Sequence, residues 1–236
     1  MFVKIYSYRF AQEILSNSVF DGAYQEILDI CEECPLPYHY RKSTDKSKYV
    51  VQQLMNTYFK LRFEALGWTG EPDATNDTQL NKLRADFRKT FLFGDTCLKC
   101  QIEVEFGNAA SLYRDYFKFM TSYSQGMTDI AILIVPSNDI AKHISDGVAN
   151  YEKAKRELPE SKLSVTVPIL VIGLFDEDDA GNKVEPWDLT EARYTLDVIK
   201  GTSRGPGKKG SRNPKKVGSM HNKLVQDYID GHIKKK

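Results

Sequence analysis

Asp86-Phe-Arg-Lys-Thr-Phe-Leu-Phe-Gly-Asp-Thr-Cys-Leu-Lys-Cys-Gln-Ile-Glu-Val-Glu-Phe106 is the stretch that decides the fold. Two apolar-rich runs, 87–93 and 96–106, flank Gly94-Asp95, and a glycine followed by a polar residue suits the two-residue loop of a type II′ hairpin. With those two residues as the loop, Phe93 pairs with Thr96, and counting outward sets Asp86 opposite Glu103. Opposed residues share a face of the sheet, with Cβ atoms about 4.5–5.5 Å apart. Side chains alternate along a strand, so Glu105 shares the face of Glu103 while Ile102, Val104 and Phe106 point the other way into a core. Asp86, Glu103 and Glu105 are therefore expected to converge. Like charges raise one another's pKa, so such a cluster calls for a cation, and an oxygen-only ligand set suits Mg²⁺ or Mn²⁺. The plainer reading is a half-buried hairpin whose outer face is acidic and solvated, and the Asp…Glu-x-Glu pattern alone does not separate the two.

Working outward, 236 residues at 41% hydrophobic composition are enough for one good core, as one large domain or a domain with a small appendage. The longest apolar runs, 130–135 and 167–171, fall far short of the roughly 20 residues that cross a membrane. Arg9, Gln12 and Glu13 interrupt the N-terminus early, so no charged-then-apolar leader opens the sequence, and an intracellular, cytoplasmic address without membrane partners is expected. The formal charge of +1 hides an asymmetry. Residues 200–236 carry eleven Lys/Arg against two acidic residues, a net of +9, which leaves −8 on residues 1–199. The expected organisation is thus a body over 1–199 and a basic C-terminal segment over 200–236 that meets a polyanion or is simply solvated.

Four cysteines form two Cys-x-x-Cys pairs, Cys31/Cys34 and Cys97/Cys100. Zinc ribbons usually separate such pairs by about 15–20 residues, a much shorter gap than the one here. Cys97 and Cys100 also fall within the second strand of the hairpin, where residues three apart face opposite sides. Reduced core cysteines are the expected state.

Along the chain, 2–8 reads as a strand and 21–34 as a helix through Val19, Ala23, Ile27 and Ile30, ended by Pro35 and Pro37. Arg41, Lys42, Lys46 and Lys48 lie in a polar loop that is either a phosphate contact or ordinary solvated surface. A helix over 48–66 stops at Gly67, Gly70-Glu-Pro-Asp makes a turn, and Thr75 or Asn76 caps a short helix to Arg84. After the hairpin come an amphipathic helix at 109–124, a buried strand at 129–135, a helix at 139–158 and a second buried strand at 165–175. Alternating strands and helices of this kind give an α/β fold, a mixed central β-sheet flanked by helices.

The segment Gln101-Ile-Glu-Val-Glu-Phe-Gly-Asn108 resembles the Ile-Glu-Val-Gln-Phe-Gly segment of the BstYI and BglII restriction endonucleases. Asp86-Phe-Arg-Lys89 is similar to the Asp-Phe-x-Lys with which those enzymes enter the same hairpin, although the hairpin here is longer. Ile5-Tyr-Ser7, Phe63-Glu-Ala-Leu-Gly-Trp68 and residues 166–173 extend the likeness to about residue 175. The resemblance implies a type II restriction endonuclease of the BstYI/BglII (BamHI-like) group with a PD-(D/E)xK nuclease core, a homodimer that cuts both strands of double-stranded DNA at a short palindrome. Carried over by position, Asp86 and Glu103 would be ligands of Mg²⁺ or Mn²⁺, with the main-chain carbonyl near Val104 a further one. Glu105 would stand where the wider superfamily has lysine and these relatives have glutamine; glutamate there is similar to BamHI, and would orient or deprotonate the attacking water. Asn108 matches an asparagine that could face DNA. Asp95 is nearer in sequence to Glu103, but opposition across the hairpin favours Asp86 as the ligand.

Phosphate affinity would come from basic residues of the C-terminal segment, Arg204, Lys208, Lys209, Arg212, Lys215 and Lys216, with the arginines suited to reading bases. Two other classes stay open to the residues alone: a DNA-binding module without catalysis, and a zinc-dependent interaction protein that uses both Cys-x-x-Cys pairs.

Overall fold

The computed structural model describes residues 1–17, 19–39, 47–76, 83–189 and 214–233. Its elements in chain order are β1 (Phe2–Tyr8), α1 (Ala11–Leu15), α2 (Asp21–Glu32), β2 (Pro37–Tyr38), α3 (Gln52–Ala65), β3 (Thr69–Gly70), β4 (Phe87–Phe93), β5 (Thr96–Val104), α4 (Ala110–Ser124), β6 (Ile130–Pro136), α5 (Asn138–Ile144), α6 (Tyr151–Glu160), β7 (Ile169–Phe175), β8 (Trp187–Asp188) and α7 (Pro214–Tyr228), which runs on into a π turn at Ile229–Ile233. Six strands form one sheet in the order β1-β7-β6-β5-β4-β3, and β2 pairs with β8 beside it. β5, β6 and β7 are mutually parallel, while β1, β4 and β3 join antiparallel, so the sheet is mixed.

The two central strands are apolar along their length because helices cover both faces. Ile130, Ile132, Ile134, Leu170, Ile172 and Leu174 pack with α2 and α3, through Ile27, Ile30, Leu54, Met55 and Phe59. Ala131, Leu133, Val135, Ile169 and Val171 take the opposite face and meet Leu112, Tyr116 and Phe119 of α4 and Tyr151, Ala154 and Leu158 of α6. The period-two alternation of the strands thus assigns α3 to one side of the sheet and α4 to the other, and the hairpin β4–β5 lies between them.

Two expectations need correction. The helix expected over 139–158 is two helices, α5 and α6. The chain turns between them at Gly147, in the left-handed region at φ +70°, and the Asn150 side chain caps α6 by accepting from Lys153 N. The strand expected from 165 starts its ladder at Ile169, because Pro168 has no N–H to give it. The short helix expected from 75 or 76 to 84 lies largely outside the described residues; beside it Asp73 is bridged to Arg84 and Ala74 N bonds Leu83 O.

The C-terminal stretch also departs from a plain basic tail. Its last described residues form α7, which packs on α3 and places Val225 and Ile229 in the core, while the Tyr228 ring meets Trp187 at 4.8 Å between centroids. Arg204, Lys208, Lys209 and Arg212 lie outside the described residues, as do Arg41, Lys42 and Lys46; Lys215 and Lys216 belong to the first turn of α7. Among the described residues no helix is long and apolar enough to cross a membrane.

Candidate active site

The hairpin closes in the register counted from its loop: Phe93 pairs with Thr96 and Phe87 with Ile102. Gly94 takes φ +60° and Asp95 does not share that region, which is the type II′ pattern. Asp86 follows as the next residue outward, opposite Glu103, and its Oδ2 accepts a hydrogen bond of 2.7 Å from the Val104 N–H. Asp95, at the exposed tip, lies at the far end of the hairpin.

The face bearing Glu103 is not a solvated one. Glu103 is 1% exposed, covered by α4, and Lys118 of that helix donates to its Oε2. Gln101 Nε2 donates to Oε1 at 3.1 Å, and Gln101 is in turn held by Arg88 at 3.0 Å. Lys118 also bonds Asp115 at 2.8 Å. Glu105 curls back so that its Oε1 accepts from Gly107 N, and Ser111 also hydrogen-bonds its side chain. Arg114 approaches its other oxygen at 4.0 Å.

Electrostatics follow from this packing. Burial pushes Asp86 above the usual carboxylate range, partly offset by the Val104 N–H. Burial, and then the neighbouring Asp86, push Glu103 well above its ordinary value. Glu105 is raised to about 6 by burial and by Asp115. Burial opposes the Lys118 charge, yet Glu103 and Asp115 outweigh it and raise its pKa.

The three carboxylates therefore do not form the ready-made cluster expected of them: each is already engaged, and among the described residues no three His, Cys, Asp or Glu side chains stand as a metal-holding group. Asp86 and Val104 border a cleft of about 240 Å³ on the α3 side, whose walls include Asn56, Lys60 and Glu64 of α3, and Glu71. Glu103 and Glu105 lie on the α4 side. Asp86 is where the two sides meet, since it stands just beyond the paired part of β4 and interacts with Glu103 as well as with the cleft. The donors on hand are all oxygen, and two carboxylates that burial and mutual repulsion make reluctant to ionise suit a hard divalent cation.

Several neighbours were not legible in the sequence. Lys118 and Asp115 sit beside the apolar stripe of α4, and their i, i+3 spacing was the available signal. Glu71 belongs to the turn at 70–73; it takes φ +51°, unusual for a residue with a side chain, and its N–H bonds the Asp86 carbonyl at 2.9 Å. Asn108 is exposed, with its Oδ1 accepting from Ala110 N at 2.9 Å at the start of α4. The cysteines do not gather: Cys31, Cys34 and Cys100 are buried, Cys97 is exposed across the strand from Cys100, and burial raises the thiols of the first three.

The chain is 28% identical over 92 residues to the type II restriction enzyme BamHI of Bacillus amyloliquefaciens, a stretch covering 39% of this chain and 42% of that enzyme, so the match spans less than half of its length. Among solved structures it is similar to the restriction endonuclease BglII complexed with a DNA 16-mer, with a TM-score of 0.59 and 21% identity over 76% of this chain and 78% of that one. Free BglII gives a TM-score of 0.49 and 19% identity over 76% and 82%. The BglII complex shares the mixed sheet flanked by helices, a restriction-endonuclease core. The sequence family described as restriction endonuclease BglII/BglIII matches residues 3–174, most of the chain and all of the large sheet but its two outermost residues, Phe2 and Phe175, and the protein belongs to that family.

Proposed function

We propose that this protein is a type II restriction endonuclease that hydrolyses both strands of double-stranded DNA at a short palindromic site, with Mg²⁺ or Mn²⁺ as cofactor. The observation that carries the reading is the hairpin register, which sets Asp86 against Glu103 and Val104 at the mouth of the α3-side cleft. Asp86, Glu103 and the main-chain carbonyl of Val104 would hold the cation, with Glu71 and Glu64 as further oxygen donors in the cleft. A cation bound there would lower the pKa of its water and neutralise charge on the scissile phosphate. Glu105 is the base: at a pKa of about 6 it is ionised at neutral pH, yet basic enough to take a proton from the attacking water. Lys60 on the cleft wall supplies a charge for the DNA backbone, and the basic residues 204–216 would add phosphate contacts. The BglII relative crystallised with a DNA 16-mer is in accord with DNA as the partner.

Cutting a palindrome on both strands calls for two sites related by a two-fold axis. Helix α4 offers the surface for it: on the side turned away from Glu103, Phe117 is 53% exposed and Tyr113, whose hydroxyl bonds Glu157 of α6, is 55% exposed. A homodimer through α4 would put the rings in contact and leave one catalytic hairpin per strand.

The test is single-turnover cleavage of phage DNA by Asp86→Asn beside Asp95→Asn. Asp86→Asn loses the rate by orders of magnitude and chelation of the divalent cation abolishes it in the wild type, whereas Asp95→Asn, at an exposed loop, cleaves like wild type and loses ~1 kcal/mol of stability or less. The reverse order would show that the metal centre is not at the base of the hairpin.

A further inference from the structure

Lys118 occupies a place that nothing in the proposed chemistry uses. Its side chain is 6% exposed, and its ammonium bonds two carboxylates, Glu103 at 1% and Asp115 at 2% exposure. Around it acidic groups outnumber basic ones, since Asp86 also faces Lys118 and Glu105 faces Asp115, against Arg88 beside Glu103. An isolated structural ion pair is a poor explanation for such a group: a buried pair stabilises little over apolar residues of the same volume, and ordering a lysine costs side-chain entropy. Lys118 also grips one of the two oxygens through which Glu103 would reach a cation, and Gln101 grips the other.

We propose that Lys118 is the site's built-in counter-cation, a positioning residue that stands in for the divalent cation and sets how tightly that cation binds. In the metal-free protein the ammonium neutralises Glu103 and keeps it aimed from α4. A divalent cation arriving at Glu103 has to share that carboxylate with a charge of its own sign, so its affinity is held down. Asp115 is the other half of the device, because it draws the ammonium partly away from Glu103 and contributes negative charge of its own. This inference rests on Asp86 and Glu103 being cation ligands.

The consequence is a pair of effects of opposite sign on Mn²⁺ binding to the DNA-free protein, read by titration calorimetry. Lys118→Met keeps the aliphatic stem and removes the charge, and tightens Mn²⁺ binding by about tenfold or more, since a like charge a few ångströms from the ion is gone. Asp115→Asn keeps the side-chain shape, leaves the ammonium wholly on Glu103, and weakens Mn²⁺ by about threefold to tenfold. A purely structural role would lower the melting temperature of both variants and leave Mn²⁺ affinity unmoved, and would overturn the proposal, as would weaker Mn²⁺ binding in Lys118→Met. Should Lys118→Met fail to fold, Asp115→Asn decides alone: unchanged or tighter binding overturns the proposal. Asp86→Asn in the same titration keeps the two readings apart, because Mn²⁺ binding that survives it undiminished refutes the metal site itself, whereas its loss beside an unaltered Lys118→Met refutes only the role of the lysine.

Discussion

Glu105 shows how a single residue can be costly to the fold and useful to the site. Its carboxyl is raised to about 6 from an ordinary value of 4.5 by burial and by Asp115. The folded state thus holds the proton more tightly than the unfolded chain, so its stabilising contribution is whole below pH 4.5 and is lost as pH rises through about 6. With the side chain mostly buried, the charged form is disfavoured at neutral pH. Glu105→Gln is therefore expected to melt higher than wild type at pH 7.5, to gain little at pH 4.5, and to lose most cleavage activity; thermal melts at the two pH values and a rate measurement check all three. A variant that is less stable at pH 7.5 would mean that Glu105 is a structural partner of Gly107 and Ser111. The placement of this residue was legible from the alternation of Glu103 and Glu105 along one strand. Its partners were not, because Ser111, Arg114 and Asp115 come from a helix whose packing face the alternation cannot name.

At the scale of elements, the hairpin was the most legible part, since a two-residue loop fixes the register by counting and every side chain inherits its face from that register. Helix α7 was the least legible. Its apolar residues Leu224, Val225 and Tyr228, with Ile229 of the π turn, recur at helical spacing, but they follow a basic, glycine-rich run too poor in apolar residues to signal a packed element. The break between α5 and α6 was hidden for a related reason: Ile140, Ile144, Val148 and Tyr151 continue at helical spacing, and Ser145-Asp-Gly147 and the capping Asn150 mark the turn. Packing of α6 on β7 depends on a second glycine. A Cβ on Gly173 would lie 2.6 Å from the Tyr151 ring and 2.7 Å from the Phe175 ring. Tyr151 is buried and stacks edge-on with Phe175, so neither ring can step aside cheaply. Gly173→Ala should cost about 1–3 kcal/mol, seen as a lower midpoint in urea at unchanged slope. A midpoint equal to wild type would show that α6 is free to move off the sheet.

For the whole molecule, two predictions concern assembly and charge. If two copies meet through α4, Phe117→Glu puts a carboxylate into that interface, and the protein should sediment as a monomer where wild type is a dimer; a wild-type sedimentation coefficient for the variant would place the interface elsewhere. The basic segment is better probed by substitution than by truncation, because deleting 200–236 also removes α7 and the burial of Val225 and Ile229, worth about 1.5–3 kcal/mol for each side chain. Changing Arg204, Lys208, Lys209 and Arg212 to alanine should shallow the dependence of log K on log salt by about 0.9 for each phosphate that a side chain no longer neutralises. An unaltered slope, measured with Ca²⁺ in place of Mg²⁺, would show that these residues do not touch DNA. The most direct test of the endonuclease reading is to digest phage DNA with the full chain and Mg²⁺ and to sequence the fragment ends. The predicted result is a small set of discrete fragments whose ends all fall at the same offset within one short palindrome, lost on chelation and in Asp86→Asn. Intact DNA, or ends scattered without a common sequence, would contradict it.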